Sequence, residues 1–280
     1  MNPLTRQDVL EHQTKVPWPA IEQVEQDLLL CRCMKAIFQD EFLRSQVAMR
    51  GGTLLHKVRL APAARYSEDI DLVVVGERPE GHVKKGLVRV LEAVLGKPIT
   101  FSWDQVFLTL RNRVQPSRIL RLNYEVPPAA ALAALTIKIE ANVNERQSFL
   151  PLQEHRFEFN FRGEHQVVPI IGYDLAELLG TKMRALFQRD QGRDIFDLYW
   201  ALLHSQPAVN TENVIKAFEH YLRRENAVPS RGDFIQALDH RMANRGFRQD
   251  ITPLLRRGIT FNIDEARTVV QERLLNLLPD

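Results

Sequence analysis

Asp69 and Asp71 stand two residues apart in "SEDIDLVVVG", where acidic residues run directly into valines. A strand has a side-chain period of two, so both carboxylates share one face at the mouth of an apolar run. Burying an ionised carboxylate without a partner is costly, so the pair calls for a cation. Just upstream, "RGGTLLHKV" places Gly51, Gly52 and Thr53 at the start of a short helix. Glycine lets a backbone approach a ligand closely, and the free N–H groups of a helix start favour phosphate. Thr53 adds a hydroxyl. Two carboxylates beside a phosphate cradle suit a hard cation with oxygen ligands, and Mg²⁺ fits best. Phosphoryl or nucleotidyl transfer on two metal ions uses this arrangement, with a third acid from a neighbouring strand. In "LTIKIEANV", Lys138, Glu140 and Asn142 face away from Ile137, Ile139 and Ala141. Glu140 is therefore a candidate third metal ligand; the plainer reading is a glutamate on a solvated sheet face.

Two further candidates lie between the cradle and the carboxylates. Ser67 either bonds a phosphate, is modified by the enzyme itself, or closes a hydroxyl turn into the strand. Arg65 either contacts phosphate or forms a loop-to-surface ion pair. His56 falls on the polar side of its short helix and receives no role.

The elements that must position these groups follow from periodicity. "WPAIEQVEQDLLLCRCMKAIFQDEFLRSQ" spaces its apolar residues for one long N-terminal helix. "VAMRGG" is a short strand, "TLLHKVRL" a two-turn helix, "APAARYSE" a loop and "DIDLVVVG" a strand. "GHVKKGLVRVLEAVLG" is a helix closed by Gly96. "ITFSW", "VFLTLRNR", "RILRLNYEV", "LTIKIEANV" and "HRFEFNFRG" alternate as strands of a sheet with one buried face. From Asp174 on, "YDLAELLGTKMRALFQR", "RDIFDLYWALLH", "TENVIKAFEHYLRR", "RGDFIQALDHRM", "FRQDITPLLRR" and "IDEARTVVQERLLNLL" all read as helices. The expected organisation is a mixed front part over residues 1–172 and an all-helical back part over 173–280.

Composition is that of an ordinary soluble domain: 280 residues, 45% hydrophobic and 26% charged, with a net charge of +2. A basic face can still hide inside a balanced total. Cys31 and Cys33 are two apart on a helix and do not share a face, so they make no metal pair. "MNPLTRQDVLEHQ" is too polar for a signal peptide, and no apolar run reaches membrane-spanning length. A reduced cytoplasmic protein with no membrane partner is expected.

Gly51-Gly52-Thr53 followed by Arg65-Tyr66-Ser67-Glu68-Asp69-Ile70-Asp71-Leu72 resembles the first motif of the AbiEii/AbiGii nucleotidyltransferase toxins. These are MenT-like members of the DNA polymerase β-like nucleotidyltransferase superfamily. "DLAELLGTKMRALFQRDQGRDIFDLYWAL" is similar to the later motifs of that family, a helical lysine followed by R-D-x-x-D-L-Y. The resemblance spans roughly residues 45–205, with Thr53 where serine is commoner. It implies an α+β nucleotidyltransferase fold, a twisted mixed sheet flanked by helices, with a helical C-terminal region. It implies that Asp69 and Asp71, with Glu140, hold Mg²⁺ (Mn²⁺ as the alternative), and that Gly51, Gly52, Thr53, Arg65, Ser67 and Lys182 bind a nucleoside triphosphate. Lys182 and Asp194 join the two aspartates as catalytic residues, Asp194 as a base or a positioner of the acceptor hydroxyl, whereas Asp197 reads as structural. Without the resemblance, Lys182 is a helix-surface lysine and Arg193-Asp194 a capping pair.

The implied reaction moves a nucleoside monophosphate from the triphosphate to the 3′ end of tRNA, blocking translation. The implied biology is a bacterial toxin–antitoxin or phage-defence system with a cognate antitoxin. A protein acceptor, as in AMP-transferring relatives, and a non-catalytic nucleotide-binding partner are the competing readings. Arg223, Arg224, Arg231, Arg241, Arg245, Arg248, Arg256 and Arg257 are candidates for an RNA-facing surface. Acids are interleaved among them, and a solvated helix face is the commoner meaning of that pattern.

Overall fold

The computed structural model describes residues 4–16, 18–95, 107–111, 119–223 and 228–280. The segment "ITFSW", the helix-closing Gly96 and Arg224 lie outside the described residues.

The expected long helix is two, α2 (Ile21–Gln39) and α3 (Glu41–Gln46), preceded by a separate α1 (Arg6–Gln13). Asp40 breaks the expected long helix. Its backbone is extended, and its side chain accepts from the Leu43 N–H at 2.9 Å to start α3, as a short acceptor side chain does at a helix start. The chain continues through β1 (Val47–Arg50), a helical turn α4 (Gly51–Thr53) that runs on as a π-helical segment (Leu54–Arg59), β2 (Asp69–Val74) and α5 (Glu80–Leu95). Strands β3 (Phe107–Arg111), β4 (Ile119–Val126), β5 (Leu135–Asn142), β6 (Gln153–Phe161) and β7 (Glu164–Gly172) complete the front part.

The sheet has seven strands in the order β3-β4-β5-β2-β1-β7-β6. β1 pairs antiparallel with β2 and parallel with β7, while β2 pairs parallel with β5. The sheet is thus mixed, with β2 at its centre. Its apolar residues Ile70, Leu72, Val73 and Val74 are buried, which fits a strand with neighbours on both sides. Helix α2 packs on the sheet and against α5 with Val24, Leu28, Met34 and Phe38, all buried.

The helical part is α6 (Leu175–Gln188), α7 (Gly192–His204), α8 (Thr211–Arg223), α9 (Arg231–Met242), α10 (Arg245–Gln249) and α11 (Ile263–Arg273). The stretch "FRQDITPLLRR" is not one helix; α10 gives way to a 3₁₀ turn over Thr252–Leu254. Pro253 has no N–H to donate and cannot continue an α-helix. Helices α6 and α8 pack closely at Gly180, where an added Cβ would lie 2.7 Å from the Ala217 Cβ. The two parts are stitched together at the loop before β2: Tyr66 N–H donates to the Leu254 carbonyl at 2.7 Å, and Arg256 N–H donates to the Ala64 carbonyl at 3.0 Å. Buried apolar residues of both parts belong to one continuous core.

Candidate active site

β2 delivers Asp69 and Asp71 to the same face, both half-buried. Its register with β5 sets Asp71 opposite Glu140 and Asp69 opposite Lys138. Burial and the neighbouring Asp71 charge push the Asp69 carboxyl up to about 6. Its Oδ1 is buried with no hydrogen-bond partner among the described residues. Burial likewise raises Asp71, against the opposing charges of Arg50, Lys182 and Arg189. Burial thus outweighs the cations around the pair. An orphaned oxygen beside a second carboxylate is a donor set that fits a hard divalent ion. Glu140 stands on the adjacent strand as expected, but its Oε1 accepts from Arg121 Nε at 2.6 Å.

The cations facing Asp71 come from two elements. Arg50 is its cross-strand partner on β1 and is itself held by Glu145, which also accepts from Arg184 at 2.9 Å. Lys182 comes from α6, and Arg189 closes that helix. Lys182 is buried rather than on a helix surface: Nζ lies 3.1 Å from Asp194 Oδ1 and 2.7 Å from Asp197 Oδ2. Asp194 accepts in addition from Arg189 Nε at 2.7 Å and Nη2 at 2.8 Å. Burial alone would raise the Asp194 carboxyl; Lys182 and Arg189 override it and hold it below the usual range.

Asp197, one helical turn further along α7, is the hub beneath this layer. Arg65 clamps it with Nε and Nη2 at 2.6 and 2.7 Å, and His56 Nε2 lies 2.7 Å from Oδ1. Against its burial, Arg65 and Lys182 hold Asp197 well below the usual carboxylate range. Burial lowers His56 to about 4, so the imidazole is neutral, and because a carboxylate only accepts, its proton sits on Nε2. Two expectations change here. Arg65 is a buried clamp rather than a loop-to-surface ion pair, and His56, fully buried, is not on a polar helix side.

At the cradle, Gly51 has φ +77°, and a Cβ on it would fall 1.9 Å from Asp71 Oδ2. Only glycine adopts that backbone cheaply while leaving room for the carboxylate. At Gly52 a Cβ would lie 2.7 Å from Arg65 Nη2. Thr53 is fully buried; its Oγ1 lies 2.5 Å from the Asp69 carbonyl and 2.9 Å from Ser67 Oγ. One hydroxyl has one proton, so Thr53 donates to the carbonyl and accepts from Ser67. Its hydroxyl braces the start of β2 instead of facing a phosphate.

The sequence-derived residues therefore converge: Gly51, Gly52, Thr53, Arg65, Ser67, Asp69, Asp71, Lys182 and Asp194 form one connected neighbourhood. Sequence reasoning misses Arg50, Glu145 and the role of His56, whereas Asp197, read as structural, is the hub. Register with Asp71 is the signal that would have found Arg50, and it is visible only once β1 and β2 are paired. The C-terminal arginines are mostly committed to acids: Arg248 to Asp264, Arg241 to Asp190, Arg223 to Glu219 and Arg231 to Asp280.

A mixed sheet carrying paired carboxylates beside a glycine cradle and a cationic helix defines a nucleotidyltransferase. The family model for the AbiEii nucleotidyltransferase toxins of type IV toxin–antitoxin systems matches residues 32–272, and the chain belongs to that family. It is a nucleotidyltransferase toxin, and enzymes of this family use a nucleoside triphosphate and a divalent metal. Its fold is similar to that of MenT4, a nucleotidyltransferase toxin from Mycobacterium tuberculosis, at 18% identity and a TM-score of 0.59, covering 98% of this chain and 90% of that one. JHP933 from Helicobacter pylori aligns at 12% identity and a TM-score of 0.46, over 83% of this chain and 94% of that one. No curated protein sequence matches the chain. No described helix is long and apolar enough to cross a membrane.

Proposed function

We propose that this toxin transfers a nucleoside monophosphate from a nucleoside triphosphate to the 3′ end of tRNA, with Mg²⁺ as the metal, and so stops translation. The observation that carries the reading is the raised, partly orphaned Asp69–Asp71 pair facing Lys182 and Arg189. Asp69 and Asp71, with Glu140, would hold the metal, which supplies charge neutralisation at the reacting phosphate. The backbone N–H groups of Gly51, Gly52 and Thr53 receive phosphate oxygens. Lys182 and Arg189 bring positive charge to a triphosphate that the carboxylates alone would repel. Asp194 serves as a positioner, holding Lys182 and Arg189 over the cleft. Its depressed carboxyl makes it a poor proton acceptor.

In this reading residues 1–172 are the catalytic core and residues 173–280 cover its cleft. The toxin acts in the bacterial cytoplasm in phage defence, and a cognate antitoxin restrains it. The test is incubation with total tRNA, Mg²⁺ and each α-labelled nucleoside triphosphate, beside an Asp69→Ala/Asp71→Ala control. Label on tRNA that disappears in the control is the expected result. Label on polypeptide alone would replace the acceptor with a protein. No label with tRNA or protein would overturn the transfer reaction.

A further inference from the structure

A second polar cluster lies outside the nucleotidyltransferase cleft, between α1, α2 and the π-helical segment. His12 projects from α1. Asp27 and Cys31 stand four apart on α2 and share a helix face. All three are buried. His12 Nε2 lies 2.7 Å from Asp27 Oδ2, and Cys31 Sγ lies 3.9 Å from the same oxygen. One donor atom from each side chain, a nitrogen, an oxygen and a sulfur, falls within 4.8 Å of the other two. Lys57 contacts two of the three: its Nζ pairs at 2.6 Å with the other oxygen, Oδ1, and lies 3.4 Å from Cys31 Sγ. The cluster opens on a cavity of about 200 Å³ that Trp18 and Phe157 also line.

We propose that His12, Asp27 and Cys31 form a binding site for a borderline divalent ion of the Zn²⁺ class, separate from the active-site metal. Mixed nitrogen, oxygen and sulfur donors are the set such an ion prefers, and a hard Mg²⁺ does not take a thiolate. Tetrahedral geometry at ordinary zinc bond lengths puts nitrogen and oxygen about 3.4 Å apart and oxygen and sulfur about 3.6 Å apart. The observed 2.7 and 3.9 Å differ from these by only a few tenths of an ångström to about 0.7 Å. The His12–Asp27 hydrogen bond opens, the imidazole binds through Nε2 with its proton on Nδ1, and the thiol proton leaves to solvent. Lys57 then plays the outer partner, holding Asp27 through Oδ1 and balancing the thiolate charge. The fourth ligand is a water, for which the cavity has room. The ion would tie α1 to the core beside the loop that feeds Ser67 and Asp69.

The test uses the full chain carrying Asp69→Ala/Asp71→Ala, so that the active-site carboxylates do not compete and the result is independent of the transfer reaction. Co²⁺ titration should produce a sulfur-to-cobalt charge-transfer band in the near ultraviolet, saturating at one ion per chain and displaced by Zn²⁺. Cys33→Ser should keep the band and Cys31→Ser should lose it. His12→Gln, on the outer helix, should weaken Co²⁺ binding at least ten-fold and gives a reading even where Cys31→Ser fails to fold. Absence of the band at saturating Co²⁺, its persistence in Cys31→Ser, or unchanged affinity in His12→Gln would overturn the site.

Discussion

Arg65 and Asp197 face each other as a two-pronged ion pair, at 2.6 and 2.7 Å, across 132 residues of chain. Arg65 leads into β2, which carries Asp69 and Asp71, and Asp197 lies on α7 beside Asp194. The pair therefore fixes the helical part against the catalytic strand. Breaking a buried pair by removing one partner leaves a desolvated charge and costs about 3–5 kcal/mol. Asp197→Asn should lower the unfolding free energy by about that much in urea titrations. A loss within the scatter of surface substitutions would mean that the pair holds nothing together. The depressed Asp197 carboxyl adds stability that is present above its unfolded value of 3.8 and lost as pH falls through the lower folded value.

Asp69 has the opposite sign. Its folded carboxyl is raised to about 6 from 3.8, so its contribution is fully present below pH 3.8 and lost as pH rises through 6. Metal-free Asp69→Asn should therefore be more stable than the parent at pH 7, by about 1–2 kcal/mol after discounting for partial exposure. Thermal melts in a chelator, with and without the substitution, check this. The same variant should lose transferase activity, because one of the two proposed metal-holding carboxylates is gone.

Gly51→Ala tests the cradle. A methyl group there collides with Asp71 Oδ2 on a backbone at φ +77°, a strain of about 1–3 kcal/mol for a residue other than glycine. Activity should fall at least ten-fold while the far-ultraviolet spectrum stays native. A fully active variant would show that Asp71 on β2 is not held against Gly51.

Lys182 and Arg189 should separate kinetically. Lys182→Ala removes a buried cation from beneath the proposed phosphate site and should reduce kcat by about a hundred-fold or more. Arg189 is partly exposed, and its loss should mainly raise KM for the triphosphate, about ten-fold for a charged hydrogen bond. Equal effects on kcat from both substitutions would remove the distinction drawn between them.

The local features of the site were legible in the sequence because each rests on a short-range rule. The period of two in "DIDLVVV" sets both carboxylates on one face. The glycine pair marks the close backbone approach, whereas Lys182 and Asp194 in "KMRALFQRDQGRDIFDLY" stand out only through the family resemblance. The long N-terminal helix failed at Asp40, where a side chain won the backbone N–H that a continuing helix would have used.

The roles of Arg65, His56 and Thr53 could not be read this way. Whether an arginine meets phosphate, solvent or a buried aspartate depends on what packs over it, and that is settled by contacts across more than a hundred residues. The sequence by itself determined which groups are available and which face of an element they occupy. Only the tertiary structure decided which of those charges neutralise one another and which, like Asp69, are left without a partner, because desolvation and pairing are properties of the assembled core.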